Sequence, residues 1–159
     1  MYSPLSKGYE KKDFQKVINS NTIGVLAVSD EVWSVQATTI FYAVEDENTL
    51  LFKSHVTSNH GKQMQITPKV VLAIFLPDST YTEKTGVQLR CICEKITDYK
   101  EMEKAVSIYS KTFQGAEQRF ASIEELISPE AKSTLFRLKI MSGKMLSPSG
   151  YSETFQDFN

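Results

Sequence analysis

The chain has 159 residues, of which 41% are hydrophobic and 23% charged, and a formal net charge of −1. Those totals fit one globular domain. They exclude a general attraction to nucleic acid or anionic lipid, so any anion site has to be local. No apolar run approaches the roughly 20 residues of a membrane span. The opening stretch, MYSPLSKGYEKKDF, lacks the apolar core of a secretion signal, which implies a cytoplasmic protein.

Residues 9–20, YEKKDFQKVINS, place Phe14, Val17 and Ile18 on one side of a short helix. The period then changes. TIGVLAVS reads as a strand, DE as a tight turn and VWSVQATTIFYAV as a second strand; EDEN is another turn and TLLFKS a third strand. After Ser54 the chain meets a helix-start signal, with Thr57 or Ser58 as N-cap, and Thr67-Pro68 ends that helix near Gln65. KVVLAIFL is apolar throughout and reads as a buried central strand. In VQLRCICEKITD, alternation puts Val87, Leu89, Cys91 and Cys93 on one face and Gln88, Arg90 and Ile92 on the other. The two cysteines are too close in an extended chain for a good disulfide and match no zinc spacing, so they read as reduced core residues.

Asp98 and Glu101 form a capping-box pattern ahead of the helix YKEMEKAVSIYSKTF, and AEQRFASIEELI predicts one more short helix after Gly115. STLFRLKIMSGKML is the last strand, and the tail SPSGYSETFQDFN, with its turn composition, reads as frayed or docked on a partner. The whole is expected to be a mainly β (α+β) protein, a closed or nearly closed antiparallel barrel with flanking helices. It is a single domain over residues 1–159: a short N-terminal helix, a barrel core at about 21–98, a helical segment at about 99–127 and a final strand at about 134–146.

Chemistry concentrates between Ser54 and Lys62. A helix start leaves backbone N–H groups unpaired at the positive end of the helix dipole, which suits an anion. Ser54, Thr57 and Ser58 add hydroxyls, and His60 and Lys62 add charge. Phosphate, with several acceptor oxygens, suits that inventory better than carboxylate. Serines and threonines are equally at home as plain N-caps, so a structural and a binding reading both stand on chemistry alone.

In order and spacing, VQATTIFY, LLFKS-x-x-x-S-x-H, the short helix, TPKVVLAIF and GVQLRC resemble the pyridoxamine 5′-phosphate oxidase-like proteins, the FMN-binding split β-barrels. The resemblance runs from about Asn21 to Asp98, and the helical segment with its final strand is similar to the single-domain branch of that family. It implies a homodimer with FMN at each subunit interface and a small-molecule substrate. Carried over position by position, the flavin site would take Lys53 and Ser54 from the third strand and Ser58, Asn59 and His60 from the helix start. Thr57 and Lys62 stand beside them, and Gln88 comes from a later strand. The family's second strand supplies an Arg and a Lys; here Gln36, Ala37, Thr38 and Thr39 offer only backbone and hydroxyl contacts, which leaves Lys62 or His60 as the main cation.

The family's basic C-terminal Arg-Leu-x-Pro motif is reduced to FRLKI, so vitamin B6 oxidation is not expected. No nucleophile–base pair or paired carboxylates can be read, and no catalytic residue or metal ligand set is assigned. The leading reading is an FMN flavoprotein, an oxidoreductase using a nicotinamide partner, with chemistry carried by the flavin. The alternatives are a split-barrel binding module for haem, with His55 or His60 as axial ligand, and a flavin-free dimer without activity. Trp33, Phe41, Tyr42 and Phe52 are read as core packing ahead of flavin contacts.

Overall fold

A computed structural model of the chain describes residues 8–29, 35–76, 80–152 and 156–158. Eight strands and four α-helices are placed: α1 Lys11–Asn19, β1 Ile23–Ser29, β2 Val35–Asp46, β3 Thr49–His55, α2 Asn59–Ile66, β4 Lys69–Phe75, β5 Gly86–Lys95, α3 Tyr99–Thr112, α4 Ile123–Ile127, β6 Ser133–Ser147, β7 Gly150–Tyr151 and β8 Gln156–Asp157. The DE turn and Trp33 lie outside the described residues, and the second strand is described from Val35.

The six long strands run in the order β3-β2-β1-β4-β5-β6, and β6 pairs back to β3, so the sheet closes and leaves no open edge among them. Every pairing is antiparallel. The fold is therefore the expected mainly β barrel with flanking helices. Alternation decides what goes inside. Leu26 and Val28, Tyr42, Leu50 and Phe52, Leu72 and Ile74, and Val87 through Cys93 at every second position fill the interior. Cys91 and Cys93 are free and buried there, and burial pushes both thiols up to about 12, so they remain protonated and inert.

A second apolar layer lies outside the barrel. The opposite faces of β2, β3 and β6 send Ala43, Leu51 and Leu135 against Met102, Ala105 and Tyr109 of α3 and Leu126 of α4. An ion cluster fixes that layer. The Arg137 guanidinium grips Glu45 through both carboxylate oxygens, at 2.7 and 3.0 Å, and reaches Glu101 of α3 at 3.2 Å. Arg137 is thus committed to a structural ion cluster.

Three local expectations are corrected. AEQRFASIEELI is not one helix: a 3-10 turn over Ala116–Arg119 stops at Phe120, and Ser122 caps a separate α4 through its Oγ. Ser122 competes for the backbone as a cap, which breaks the run. The described part of the tail is not frayed but docks on its own barrel: β7 and β8 both pair with β6, and Phe158 packs edge-on against Phe14 at 5.1 Å. Gly143 of β6 makes this possible, since a Cβ there would meet the Phe14 and Phe158 rings at 2.8 and 3.0 Å. The alternation of β6 also breaks. A bulge opposite Arg90 and Cys91 leaves Met141 without a partner in β5, so Ile140 and Met145 both face the core. No helix among the described residues is long and apolar enough to cross a membrane.

Candidate functional site

The α2 start is built as the sequence predicts, but its polar groups are spent on one another. Ser58 is the N-cap: its Oγ accepts from the Gly61 amide at 3.1 Å and donates to the His55 carbonyl at 2.8 Å. Gly61 is required by this turn, because a Cβ would run into the His55 and Val56 carbonyl oxygens. His60 turns inward, with Nε2 2.8 Å from the buried Ser54 Oγ and 3.2 Å from Ser58 Oγ. Burial, and then the neighbouring His55, push the His60 imidazole below its ordinary range. The free protein thus disfavours the charged form of the His60 ring, the group expected to carry charge beside a bound phosphate.

What remains outward at this helix start is modest. The Thr57, Asn59 and Lys62 side chains are exposed, and the Asn59 and His60 amides have no acceptor within the helix. Lys62 is the one cation that α2 contributes. Among the described residues no group of three or more His, Cys, Asp or Glu side chains is placed to hold a metal.

The strand residues divide between two faces. Gln36 and Thr38 follow the inward side of β2 with Ile40 and Tyr42, while Ala37 and Thr39 point out with Phe41. Lys53 and Ser54, adjacent in β3, necessarily face opposite ways. Ser54 closes the barrel mouth under α2. Lys53 points outward, its Nζ donating to the Arg119 carbonyl at 2.8 Å and standing 5.0 Å from the Phe120 ring centroid. Gln88 and Arg90 are exposed on the outer face of β5. Gln88 is not near the α2 start: Ser54 pairs with Thr134 and Gln88 with Lys144, positions 134 and 144 of β6, roughly 30 Å apart along the strand.

Around Lys53 the structure assembles a site that sequence reasoning missed. The outer face of β2 and β3, the C-terminal turn of α3 and the 3-10 turn enclose a cleft of about 550 Å³. Phe41, Tyr109, Phe113 and Phe120 wall it, and Lys53 and Arg119 edge it. The only available signal was compositional, aromatic and basic residues in the 113–120 segment, and nothing in one sequence says that this segment returns to Lys53. Tyr42 and Phe52 are core residues as expected, whereas Phe41 stands 54% exposed on this cleft.

No protein-family model matches the chain. No curated protein matches it either. Solved structures do. A haem-binding protein from Mycobacterium smegmatis superposes with a TM-score of 0.74 at 13% identity, over 98% of this chain and 60% of that one. This chain thus spans about three fifths of that neighbour's length. A FAD-binding protein from Mesorhizobium loti matches at 0.65 and 18% identity, over 90% and 96% of the two chains. A protein of the pyridoxinephosphate oxidase family related to general stress protein 26, from Clostridium acetobutylicum, matches at 0.66 and 12%, over 94% and 97%. Flavin-binding and haem-binding proteins thus share this architecture. The chain has the split-barrel fold of the pyridoxamine 5′-phosphate oxidase-like proteins.

Proposed function

We propose that the protein is an FMN-binding flavoprotein, working as a homodimer and passing electrons between a nicotinamide cofactor and a small molecule. The observation that carries this reading is the bare outer face of β2, β1, β4 and β5. It is apolar, with Val35 and Phe75 73% and 61% exposed and Ile23, Ala37 and Phe41 also uncovered. A contiguous patch of that kind marks an interaction surface. Gln88 lies on it, at the far end of the barrel from the α2 start, so a second copy packed here is what would bring Gln88 to a flavin held by Thr39 and Lys62.

The donor set fits a flavin phosphate with few charges: the Asn59 and His60 amides, which have no acceptor within the helix, with the exposed Thr57 and Lys62. Ser58 is saturated and is excluded from direct contact. Bound FMN would supply the redox chemistry; the chain's own residues bind, orient and exclude water. Haem is the competing cofactor because structural neighbours bind it. His60 fits that role poorly, as its Nε2 is held between two serine hydroxyls.

The visible spectrum of the purified protein, before and after adding FMN, tests the reading alongside native mass. The expected result is a two-band flavin spectrum in a dimer, with affinity reduced by Lys62→Ala. A protein that stays colourless with FMN, shows a Soret band with haem alone, or is strictly monomeric overturns it.

A further inference from the structure

The cleft outside β2 and β3 holds two cations and no anion. Lys53 and Arg119 both edge it, and no carboxylate lines it. Neither side chain has a carboxylate within 4.0 Å among the described residues, where five other ion pairs are formed. Lys53 spends one ammonium proton on the Arg119 carbonyl, leaving two of its three donors for a ligand. The Arg119 guanidinium is exposed and has no side-chain partner among the described residues.

The cost of this arrangement is visible in Lys53. Partial burial and then the Arg119 charge lower its pKa from the ordinary lysine value, so the ammonium stands in an unfavourable field that an anion would relieve. Helix packing does not require the pair: the contact between α3 and the barrel is carried by Ala105, Met102 and Tyr109 and by the Arg137 cluster.

The walls define the rest of the ligand. Phe113 sits edge-on to Phe41 at 6.0 Å and tilted against Tyr109 at 4.7 Å; Phe120 meets Tyr109 edge-on at 5.9 Å. The Tyr109 hydroxyl donates to the Phe41 carbonyl at 3.2 Å, which turns its ring, not its polar end, to the cleft. The volume falls within the range of small-molecule pockets, and one wall, Phe41, is more than half exposed. Flat apolar walls with cations at the rim select a flat ring and an acid group together.

We infer that the cleft formed by Phe41, Lys53, Tyr109, Phe113, Arg119 and Phe120 binds a planar aromatic molecule carrying an anionic group. The ring lies among the phenyl walls and the anion at Lys53 and Arg119. The inference does not depend on flavin binding. FMN also carries a flat ring and an anion, and the test separates it from a free aromatic acid.

Isothermal titration of the full chain with 2-naphthoate, against neutral 2-naphthamide and non-planar cyclohexanecarboxylate, reads both features. Naphthoate should bind at least about tenfold more tightly than either control. Arg119→Met and Lys53→Met should each remove most of that preference while leaving naphthamide binding within about twofold. Arg119 is exposed and Lys53 bonds only its backbone carbonyl, so Arg119→Met keeps the fold and that contact, even if Lys53→Met shifts the 3-10 turn. FMN added as competitor separates the two readings: simultaneous binding assigns the cleft to a separate aromatic acid, and displacement of naphthoate overturns the inference by assigning the cleft to the flavin. Equal binding of naphthoate and naphthamide, no binding of either, or indifference to Arg119→Met overturns the inference. A wild-type protein that binds naphthoate but not FMN overturns the flavin reading alone.

Discussion

The start of α2 and the cleft beside α3 both gather polar groups on the rim of the same barrel, and they differ in what those groups do. At α2, Ser54, Ser58, His60 and the Gly61 amide satisfy one another, and burial disfavours the histidine's charged form. At the cleft, Lys53 and Arg119 remain charged with no counter-ion among the described residues. The first region resembles an anion site in its list of residue types, the second in its unspent charge. Residue inventory and available valence are separate properties, and only the second predicts binding.

Substitutions that damage each region unequally sharpen the contrast. The largest effect is expected from Gly61→Ala. Its Cβ would meet backbone carbonyls that cannot move without opening the β3–α2 turn, so about 3 kcal/mol of stability should be lost in urea unfolding. Loss below about 1 kcal/mol would mean that the α2 start is looser than drawn and able to rearrange around a ligand.

Glu45→Gln strikes the other side. It removes the charge with which Arg137, one fifth exposed, and Lys104 both pair, leaves Glu101 as the remaining carboxylate on Arg137, and costs about 2 kcal/mol, discounted for that exposure. Because the Arg137 cluster holds α3 to the barrel, naphthoate binding at the cleft should weaken as well, which calorimetry reads directly. Ser58→Ala is smaller, about 1 kcal/mol for a lost N-cap, and leaves the cleft untouched. Strong weakening of naphthoate binding by Ser58→Ala would erase the distinction between the regions.

The barrel itself was legible in the sequence because one-sided burial imposes a two-residue period. Val87, Leu89, Cys91 and Cys93 show it without interruption, and the structure buries all four. Local capping was legible too: Ser58 and Asp98 accept from the amides three residues on, Gly61 and Glu101. Three things were not. The Met141 bulge reverses the facing of β6 without any mark in its composition. The docking of Phe158 on Phe14 joins residues at opposite ends of the chain. The state of a polar group, spent or free, depends on partners that a sequence does not place: His60 reads as a cation by type and burial disfavours that charge, and Lys53 reads as a neighbour of Ser54 and turns to Arg119 instead.

The smallest prediction concerns that histidine. Its folded pKa lies below the unfolded value, so the unfolded chain takes up a proton first as pH falls. Stability is therefore flat above the unfolded value of about 6.5 and declines below it until the folded group also titrates. Urea midpoints between about pH 7 and 5.5, ahead of most carboxylate titration, should fall in the wild type and hold nearly level in His60→Asn, which keeps a polar partner for Ser54. Phosphate at α2 would oppose the decline, since an anion beside the ring favours its charged form. If millimolar phosphate abolishes the pH dependence in the wild type, the α2 groups can be recruited after all, and the boundary between a satisfied cap and a working anion site moves from residue type to ligand.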